Sequence, residues 1–230
     1  MKFHYASLDT CADATGLVIV IDVIRAFTSA AFCFAGGAEK MIPVGTIDEA
    51  LKIRQDNPDF LVCGEVGGIP PKGFDFGNSP EQILKLDLRG RTIVQRTSAG
   101  TQGIVRSGNA GKMISASYVV ASATAHYVQS QNPREVTFVV TGKSFSEGGD
   151  EDLSCAEYLE TLLQQKSVDP TPFLDRVRNS REANLFYNPT KPEFPEMDIS
   201  HCTDIDRFNF AMLVAKENGR YVMRAVHHGD

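Results

Sequence analysis

The sequence predicts an α/β protein with three layers, α/β/α, built on a mostly parallel sheet with a C-terminal antiparallel hairpin. Two patterns support this prediction. Apolar runs rich in β-branched residues alternate with segments of helical spacing, one unit about every 20–30 residues, as in βαβ structures. Near the C-terminus, two alternating segments flank Asn218-Gly219, a strong signal for a two-residue hairpin turn.

Length and composition bound the class of protein. The chain has 230 residues, of which 42% are hydrophobic and 23% are charged, so a disordered or collagen-like chain is excluded. This length favours a single α/β domain over residues 1–230, with 170–230 as a C-terminal extension packed on it.

The net charge and the cysteine content limit the cellular location and the binding partners that we expect for this protein. The net charge of −6 argues against non-specific binding of nucleic acid. The first apolar run, residues 17–24, is interrupted by Asp22 and is too short to span a membrane. Five widely spaced cysteines without a CxxC pair indicate neither a disulfide framework nor a zinc site. We therefore expect a cytoplasmic protein without a membrane partner.

Six apolar runs predict the strands of the parallel sheet. The first, LVIVID, is continuous and β-branched, as expected for a strand buried on both faces. In such sheets, ligands bind beyond the carboxyl ends of the strands, so the loops after them are the places to search for a site. Because the strands are predicted to be parallel, we expect the segments after the first and the fourth strand to lie at the same edge of the sheet. The six predicted strands cover residues 17–22, 39–44, 60–65, 91–97, 112–117 and 135–142.

Helices are predicted in the intervals between the strands. Residues 25–37 have helical spacing and end at a Gly-Gly pair, and Thr46 with Glu49 forms a capping box for the next helix. Five prolines indicate that much of residues 170–205 is loop. Four further helices are predicted after Ser79-Pro80, after Gly100, over 121–130 and over 150–165.

The first strand ends in a charged pair that can carry chemistry. Asp22 closes the apolar run and Arg25 follows it. A carboxylate at the end of a buried strand is a common metal ligand or catalytic base. The structural alternative is that Asp22 caps the following helix, with Arg25 as its counterion. A phosphatase of the haloacid dehalogenase type would need a second Asp at position 24, where the sequence has Ile.

The third strand ends at Glu65, and a glycine-rich loop, GFDFGNSP, follows at residues 73–80. Ser79 is a helix cap by its position before a proline. The cap does not account for Asp75 and Asn78, which lie among glycines that would let backbone approach a ligand closely. A ligand-binding loop and a merely tight loop fit this segment equally well.

The fourth strand runs into RTSAGTQG, residues 96–103. Hydroxyls at Thr97, Ser98 and Thr101 surround Gly100 directly before a predicted helix. Hydroxyl donors, free amides and the positive end of a helix dipole are what an anion site requires. The alternative is an ordinary capped turn between a strand and a helix.

The sixth strand is followed by a cation and a dense group of acidic residues. Lys143 could contact an anion, and Glu147, Asp150, Glu151 and Asp152 are possible oxygen ligands for a metal. Acidic residues in the first turn of a helix are also ordinary dipole chemistry.

Four segments, taken in this order, are similar to the 2-phosphosulfolactate phosphatase (ComB) family. The resemblance implies a Mg²⁺-dependent phosphoric monoester hydrolase that cleaves 2-phospho-3-sulfolactate to 3-sulfolactate and phosphate. In methanogens this step belongs to coenzyme M biosynthesis. The turn at 97–101 departs from the family's usual TTNGT at Ser98 and Ala99. The four segments are IDVIRAFTSA (21–30), GEVGGIPPKGFDFGNSP (64–80), RTSAGTQG (96–103) and VTGKSFSEGGDEDLSCAEYL (140–159).

These observations together give a predicted site for a small phosphorylated, sulfonated acid. The substrate is the only partner that the sequence indicates, and a homodimer stays open. The predicted catalytic residues are Asp22, Arg25 and Glu65. The predicted phosphate-binding residues are Arg25, Asn78, Thr97, Ser98, Gly100, Thr101 and Lys143. The predicted Mg²⁺ ligands are Asp22, Asp75, Glu151 and Asp152.

Two alternatives from other classes remain open. An isochorismatase-like cysteine hydrolase also opens with an apolar strand ending in Asp, and Cys155 would be its nucleophile. Cys155 follows an acidic run inside a predicted helix, which would raise rather than lower its pKa. The other alternative is a non-catalytic protein that binds anions at a degenerate turn.

Overall fold

The computed structural model describes residues 1–142 and 150–227. Within these ranges, nine β-strands form one sheet. All six strands predicted from apolar runs are confirmed, as is the C-terminal hairpin. The strands are β1 (Lys2–Ser7), β2 (Leu17–Ile21), β3 (Lys40–Pro43), β4 (Leu61–Gly64), β5 (Thr92–Arg96), β6 (Lys112–Ala116), β7 (Glu135–Val140), β8 (Phe210–Glu217) and β9 (Arg220–His227).

Eight α-helices and three short 3₁₀ helices occupy the same ranges of the chain. The prediction that much of residues 170–205 is loop is confirmed, although this segment also contains two α-helices. Pro170 and Pro172 flank the first residue of one of them, where a missing amide costs nothing. The helices are α1 (Ala26–Ala35), α2 (Ile47–Asp56), α3 (Pro80–Ile83), α4 (Gly100–Arg106), α5 (Ala121–Ser130), α6 (Asp150–Leu163), α7 (Thr171–Arg178) and α8 (Met197–Cys202).

The strand order is β1-β7-β2-β6-β8-β9-β3-β5-β4, so the hairpin lies in the middle of the sheet. The C-terminal hairpin is therefore an integral part of the sheet. Strand β8 pairs antiparallel with β6, and β9 pairs antiparallel with β3. Both edges of the hairpin thereby find partners, which removes two exposed strand edges.

The direction of the strands in the sheet changes across the hairpin. Three successive antiparallel pairings, β6–β8, β8–β9 and β9–β3, reverse the chain direction. Strands β3, β5 and β4 therefore run opposite to β1, β7, β2 and β6 along the sheet. The expectation that the ends of β2 and β5 share one edge of a parallel sheet is wrong. The twist between neighbouring strands, about 20–25° per step, accumulates over the five steps from β2 to β5.

Helices cover both faces of the sheet, which gives the predicted three layers. On one face, Val20 of β2 and Met41 of β3 belong to the same apolar core as Phe27 of α1. On the other face, Ile21 packs with residues of α5 and α6, and Ile42 packs in a separate cluster with residues of α2. Strand alternation explains this division, because successive side chains point to opposite faces.

Two helices on the first face bring the chemistry-bearing loops together. Helix α1 begins just after β2, helix α4 begins just after β5, and the two helices are in contact. The side-chain amide of Gln95 on β5 donates to the carbonyl of Ala26 at the start of α1 (3.0 Å). The N-termini of α1 and α4 therefore converge. No helix in residues 1–142 or 150–227 is long and apolar enough to span a bilayer.

Candidate active site

A cavity of about 190 Å³ lies where the N-termini of α1 and α4 converge. The described residues that line it include three carboxylates and one guanidinium. Its walls come from the end of β2, the loop after β4, the turn after β5 and the segment before α8. The lining residues are Asp22, Ile24, Arg25, Glu65, Gly67, Gly68, Asn78, Ser98, Ala99, Glu182, Leu185, Phe186 and Phe194.

Asp22 is buried at the end of β2 and also caps α1. Its Oδ1 accepts a hydrogen bond from the amide of Ala26 (2.9 Å), as the structural alternative predicts. Burial, with a contribution from the nearby charge of Glu65, raises the pKa of Asp22 to about 6. The carboxylate therefore combines a capping role with a place in the cavity wall.

Glu65 joins the loop after β4 to the turn after β5. One oxygen, Oε1, accepts from the amide of Ser98 (2.6 Å). The other oxygen, Oε2, accepts from the amide of Gly68 (2.7 Å) and from the hydroxyl of Ser98 (3.1 Å). Three donors on one buried carboxylate fix its orientation. The Ser98 amide, expected to face a phosphate, is thus engaged by Glu65.

The hydroxyls of the turn after β5 close the turn itself. The Thr97 amide donates to Oγ1 of Thr101 (2.8 Å), and the Thr101 amide donates to Oγ1 of Thr97 (3.0 Å). Both threonines are buried, and neither is among the cavity residues. The structure therefore places Ser98 at the cavity, whereas Thr97 and Thr101 shape the turn that carries it.

Gly100 is required by a close approach of backbone to Asp22. A Cβ at this position would lie 2.8 Å from Oδ2 of Asp22 and 2.7 Å from Cβ of Ala26. Neither neighbour can retreat easily, since Ala26 begins α1 and Asp22 is held by its capping bond. Glycine at position 100 lets the start of α4 approach the Asp22 carboxylate.

Arg25 is almost completely buried, with 4% of its surface exposed, yet it lines the cavity. One guanidinium nitrogen, Nη1, donates to Oδ2 of Asp198 (2.8 Å), and Nη2 donates to the carbonyl of Gly68 (3.2 Å). The rings of Phe186 and Phe194 lie 4.9 and 5.4 Å from its central carbon. The described residues use two of the five N–H donors that an arginine carries.

Asn78 lies in the cavity wall, at the cap of α3. Its backbone carbonyl accepts from the hydroxyl of Ser29 (2.9 Å), which fixes the loop on α1. Its side-chain Oδ1 is buried and has no hydrogen-bond partner among the described residues. A buried amide with unused capacity facing a cavity is suited to bind a polar ligand.

Asp152 and Glu151, at the start of α6, lie next to the end of β2. Asp152 accepts from the amides of Val23 (2.7 Å) and Gly142 (3.0 Å) and from the hydroxyl of Thr141 (3.2 Å). Glu151 is only 3% exposed, and its Oε2 has no partner among the described residues. A buried carboxylate oxygen without a partner is costly unless a proton or a cation occupies it.

Electrostatics tie these acidic residues to the cavity. Burial, together with the charges of Asp152 and Glu182, raises the pKa of Glu151 to about 10. Burial raises the pKa of Asp152 well above its ordinary value, and the charge of Asp22 adds to it. Oε2 of Glu182 is also buried without a partner in the described part of the chain. Four carboxylates thus repel one another next to the cavity.

These residues fit a hard divalent cation in chemical type. Mg²⁺ prefers oxygen ligands and is commonly held by one or two carboxylates, the remainder being water and phosphate oxygens. Two unpartnered carboxylate oxygens beside the cavity, on Glu151 and Glu182, supply such ligands. No group of three or more His, Cys, Asp or Glu side chains within residues 1–142 and 150–227 is arranged to hold a metal by itself.

Asp75, a predicted Mg²⁺ ligand, is not brought to the cavity. Asp75 accepts from Nη1 of Arg54 (2.7 Å) and from the amide of Val62 (2.7 Å), so its carboxylate stabilises the edge of β4. Asp75 is not among the cavity residues. Lys143 and Glu147 lie outside the described residues.

The environment of Cys155 argues against the cysteine-hydrolase alternative, in which this residue would be the nucleophile. Cys155 is completely buried inside α6. Burial raises the pKa of its thiol well above the ordinary value, and the charge of Asp152 raises it further. A catalytic cysteine needs access and a lowered pKa, and Cys155 has neither.

Several residues that line or support the cavity were not predicted from the sequence. Glu182, Phe186 and Phe194 line the cavity, and Asp198 holds Arg25 from α8. All four lie in the segment that its prolines mark as loop. The three-residue spacing of Ile199 and Cys202, both buried in α8, is a local signal that could have indicated a packed helix face there.

Comparison with known proteins is consistent with the resemblance carried by the four motifs. The sequence model of the family described as 2-phosphosulpholactate phosphatase matches residues 4–217. A Bacillus subtilis relative named "Probable 2-phosphosulfolactate phosphatase" is 31% identical over 200 residues, 86% of this chain and 87% of the relative. A relative of the same name from Thermotoga petrophila is 31% identical over 214 residues, 90% of this chain and 91% of the relative.

Proposed function

Because the chain belongs to the 2-phosphosulfolactate phosphatase family, a family of phosphoric monoester hydrolases, we propose that it hydrolyses 2-phospho-3-sulfolactate with the help of Mg²⁺. The products are 3-sulfolactate and phosphate. The observation that carries this proposal is the convergence of three family-like segments on one cavity. The three segments come from different parts of the chain and line the same space. The first contributes Asp22 and Arg25, the second Glu65 and Asn78, and the third Ser98.

The cavity suits a small anion. Its volume of about 190 Å³ is below that of most pockets for drug-sized ligands. Arg25 is the one cationic side chain among the described residues that line it, and an arginine can form paired hydrogen bonds with a phosphate, sulfonate or carboxylate group. Asn78 adds an amide group beside it.

The balance of charge supports a metal cofactor. The carboxylates of Asp22, Glu65 and Glu182 face a single guanidinium, so a phosphate dianion entering alone would meet net repulsion. Glu151 and Glu182, whose unpartnered oxygens lie beside the cavity, would hold Mg²⁺ with the neighbouring Asp152 only together with water and phosphate oxygens, and the mutual repulsion of the carboxylates would fall when a cation binds. When bound, the metal would offset the phosphate charge and polarise the phosphoryl oxygen.

Hydrolysis joins a water oxygen to phosphorus and breaks the bond between phosphorus and the ester oxygen. We assign Asp22 the role of accepting the proton of the attacking water, because its carboxylate lines the cavity and Glu151 and Asp152 do not. The leaving ester oxygen takes a proton from solvent or from the site. Arg25 holds the anionic substrate, and Glu65 fixes the Ser98 turn against it.

A cytoplasmic location is part of this proposal. All five cysteines are unpaired and buried, which suits a reducing compartment.

A phosphate-release assay tests the proposed reaction. The substrates are 2-phospho-3-sulfolactate, phospholactate and the phosphoglycerates, each with Mg²⁺ and with a chelator. We expect the highest kcat/KM for phosphosulfolactate and release only with the metal. Equal rates with chelator would remove the metal from the mechanism. Stabilisation by phosphate without turnover of any substrate would favour the anion-binding alternative.

A further inference from the structure

Asp198 in α8 is a fully buried carboxylate at the back of the cavity, with none of its surface exposed. Its Oδ2 accepts from Nη1 of Arg25 (2.8 Å). Its Oδ1 accepts from the hydroxyl of Ser79 (2.8 Å) and from the amide of Glu81 (3.0 Å). Both oxygens are therefore satisfied, which is the condition under which a buried carboxylate is tolerated.

The geometry around Arg25 leaves its guanidinium little freedom. Asp198 holds one nitrogen and the Gly68 carbonyl holds another. Phe186 and Phe194 lie against the group, 4.9 and 5.4 Å from its central carbon, and pack against each other edge to face. A guanidinium held on two nitrogens and packed by rings is pre-oriented, so little rotational freedom is lost when it binds an anion.

We propose that Asp198 is a positioning residue, which fixes the Arg25 guanidinium in the orientation from which it binds the anionic substrate. The inference rests on the proposed function, in which Arg25 contacts that substrate. It also gives α8 and the segment before it a role in the reaction. Phe186, Phe194 and Asp198 hold Arg25, which carries the one cationic group in the described cavity wall.

A purely structural role for Asp198 makes a different prediction. Through Ser79 and Glu81 the carboxylate also ties α8 to the start of α3. If this tie were its only function, loss of the carboxylate would lower stability and leave substrate binding unchanged.

Asp198→Asn separates the two roles. Asparagine keeps the size and one oxygen for Ser79 and Glu81, while its amide group faces Arg25 and cannot accept from it. We expect KM, and the Kd for inorganic phosphate measured by calorimetry, to rise about 10-fold. The matched control is Ser79→Ala, which removes a bond to the same carboxylate; it lowers Tm and leaves KM within about twofold of wild type.

A double-mutant cycle completes the test. If Asp198 acts through Arg25, Asp198→Asn adds less than about a twofold change in KM to Arg25→Lys. If the effects of the two substitutions on KM multiply in the double variant, the proposal is overturned. An unchanged KM and Kd in a folded Asp198→Asn protein would also overturn it. Should Asp198→Asn fail to fold, Asp198→Glu decides, because it keeps the charge and displaces the guanidinium by one methylene; an unchanged KM and Kd there would overturn the proposal.

The two readouts keep this inference distinct from the proposed reaction. If wild type releases no phosphate from any substrate, the proposed reaction fails, and the Kd for inorganic phosphate still measures what Asp198 does for Arg25. If wild type neither turns over substrate nor binds phosphate, both proposals are overturned.

Discussion

Replacement of Asp22 by asparagine is expected to reduce kcat/KM at least about 100-fold, the scale of losing a positioned proton acceptor, while the protein stays folded. Asparagine keeps the shape and one oxygen for the capping bond from the Ala26 amide. It cannot accept a proton from water. The control is Asp87→Asn, an exposed carboxylate paired with Arg89, which should leave kcat/KM within about twofold of wild type.

The same variant is expected to lose no stability near neutral pH. Burial holds the pKa of Asp22 at about 6 instead of 3.8, so the ionised form is disfavoured in the folded protein. Wild type therefore loses stability as pH rises from about 4 through 6, by at most roughly 3 kcal/mol. The neutral asparagine escapes this loss.

Urea unfolding in metal-free buffer at pH 4.5 and pH 7.5 measures the difference. The free energy of unfolding of Asp22→Asn, relative to wild type, should increase from the lower to the higher pH.

The activity of the same variant decides the catalytic role. If the kcat/KM of Asp22→Asn stays within a few-fold of wild type, Asp22 is only a helix cap and the site lies elsewhere.

Magnesium is expected to control both activity and stability. Chelation should lower phosphate release at least about 100-fold, because the carboxylates that face Arg25 would then repel the substrate. Mg²⁺ alone should raise Tm, since an ion at 100 times its Kd stabilises the folded state by about 2.7 kcal/mol. This second readout needs no substrate.

The matched variants lie in one turn of α6. Glu151→Gln and Asp152→Asn should abolish the Mg²⁺-dependent rise in Tm, because both buried carboxylates are proposed to hold the ion. Asp150→Asn should keep the rise, because Asp150 is exposed and bonded to Arg176. An equal rise in all three variants would place the metal elsewhere or exclude it.

The sequence predicts the pairing of Asp22 with the Gly100 turn, but for a reason that the structure corrects. The prediction assumes that both segments follow strands at one edge of a parallel sheet. In fact β2 and β5 run in opposite directions, because the hairpin is inserted between the two halves of the sheet. The two segments meet because α1 and α4 pack on the same face and begin side by side.

Local sequence patterns could predict the strands that are buried in the middle of the sheet. The strand around Ile19 is buried on both faces, and its sequence, LVIVI, is a continuous apolar run. Strand β1 was missed because it lies at the edge of the sheet, where Ala6 is its one buried residue. Its polar sequence is what an exposed edge strand requires.

The supporting residues of the site could not be predicted in the same way. Asp198 is 173 positions from Arg25 in sequence, and its partners Ser79 and Glu81 are also far away. No local periodicity encodes a hydrogen bond that tertiary packing creates. Glu182 is similar, because its place in the cavity wall depends on how the segment before α8 folds over Arg25.

The central claim is that the cavity between Arg25 and the Ser98 turn binds the phosphoryl group of the substrate. A crystal of the protein grown with Mg²⁺ and soaked in inorganic phosphate tests it most directly. The account predicts a phosphate within hydrogen-bond or one-water reach, about 6 Å, of both the Arg25 guanidinium and the turn that carries Ser98. A phosphate bound more than about 6 Å from both, in a crystal where this cavity is open to solvent, would contradict it.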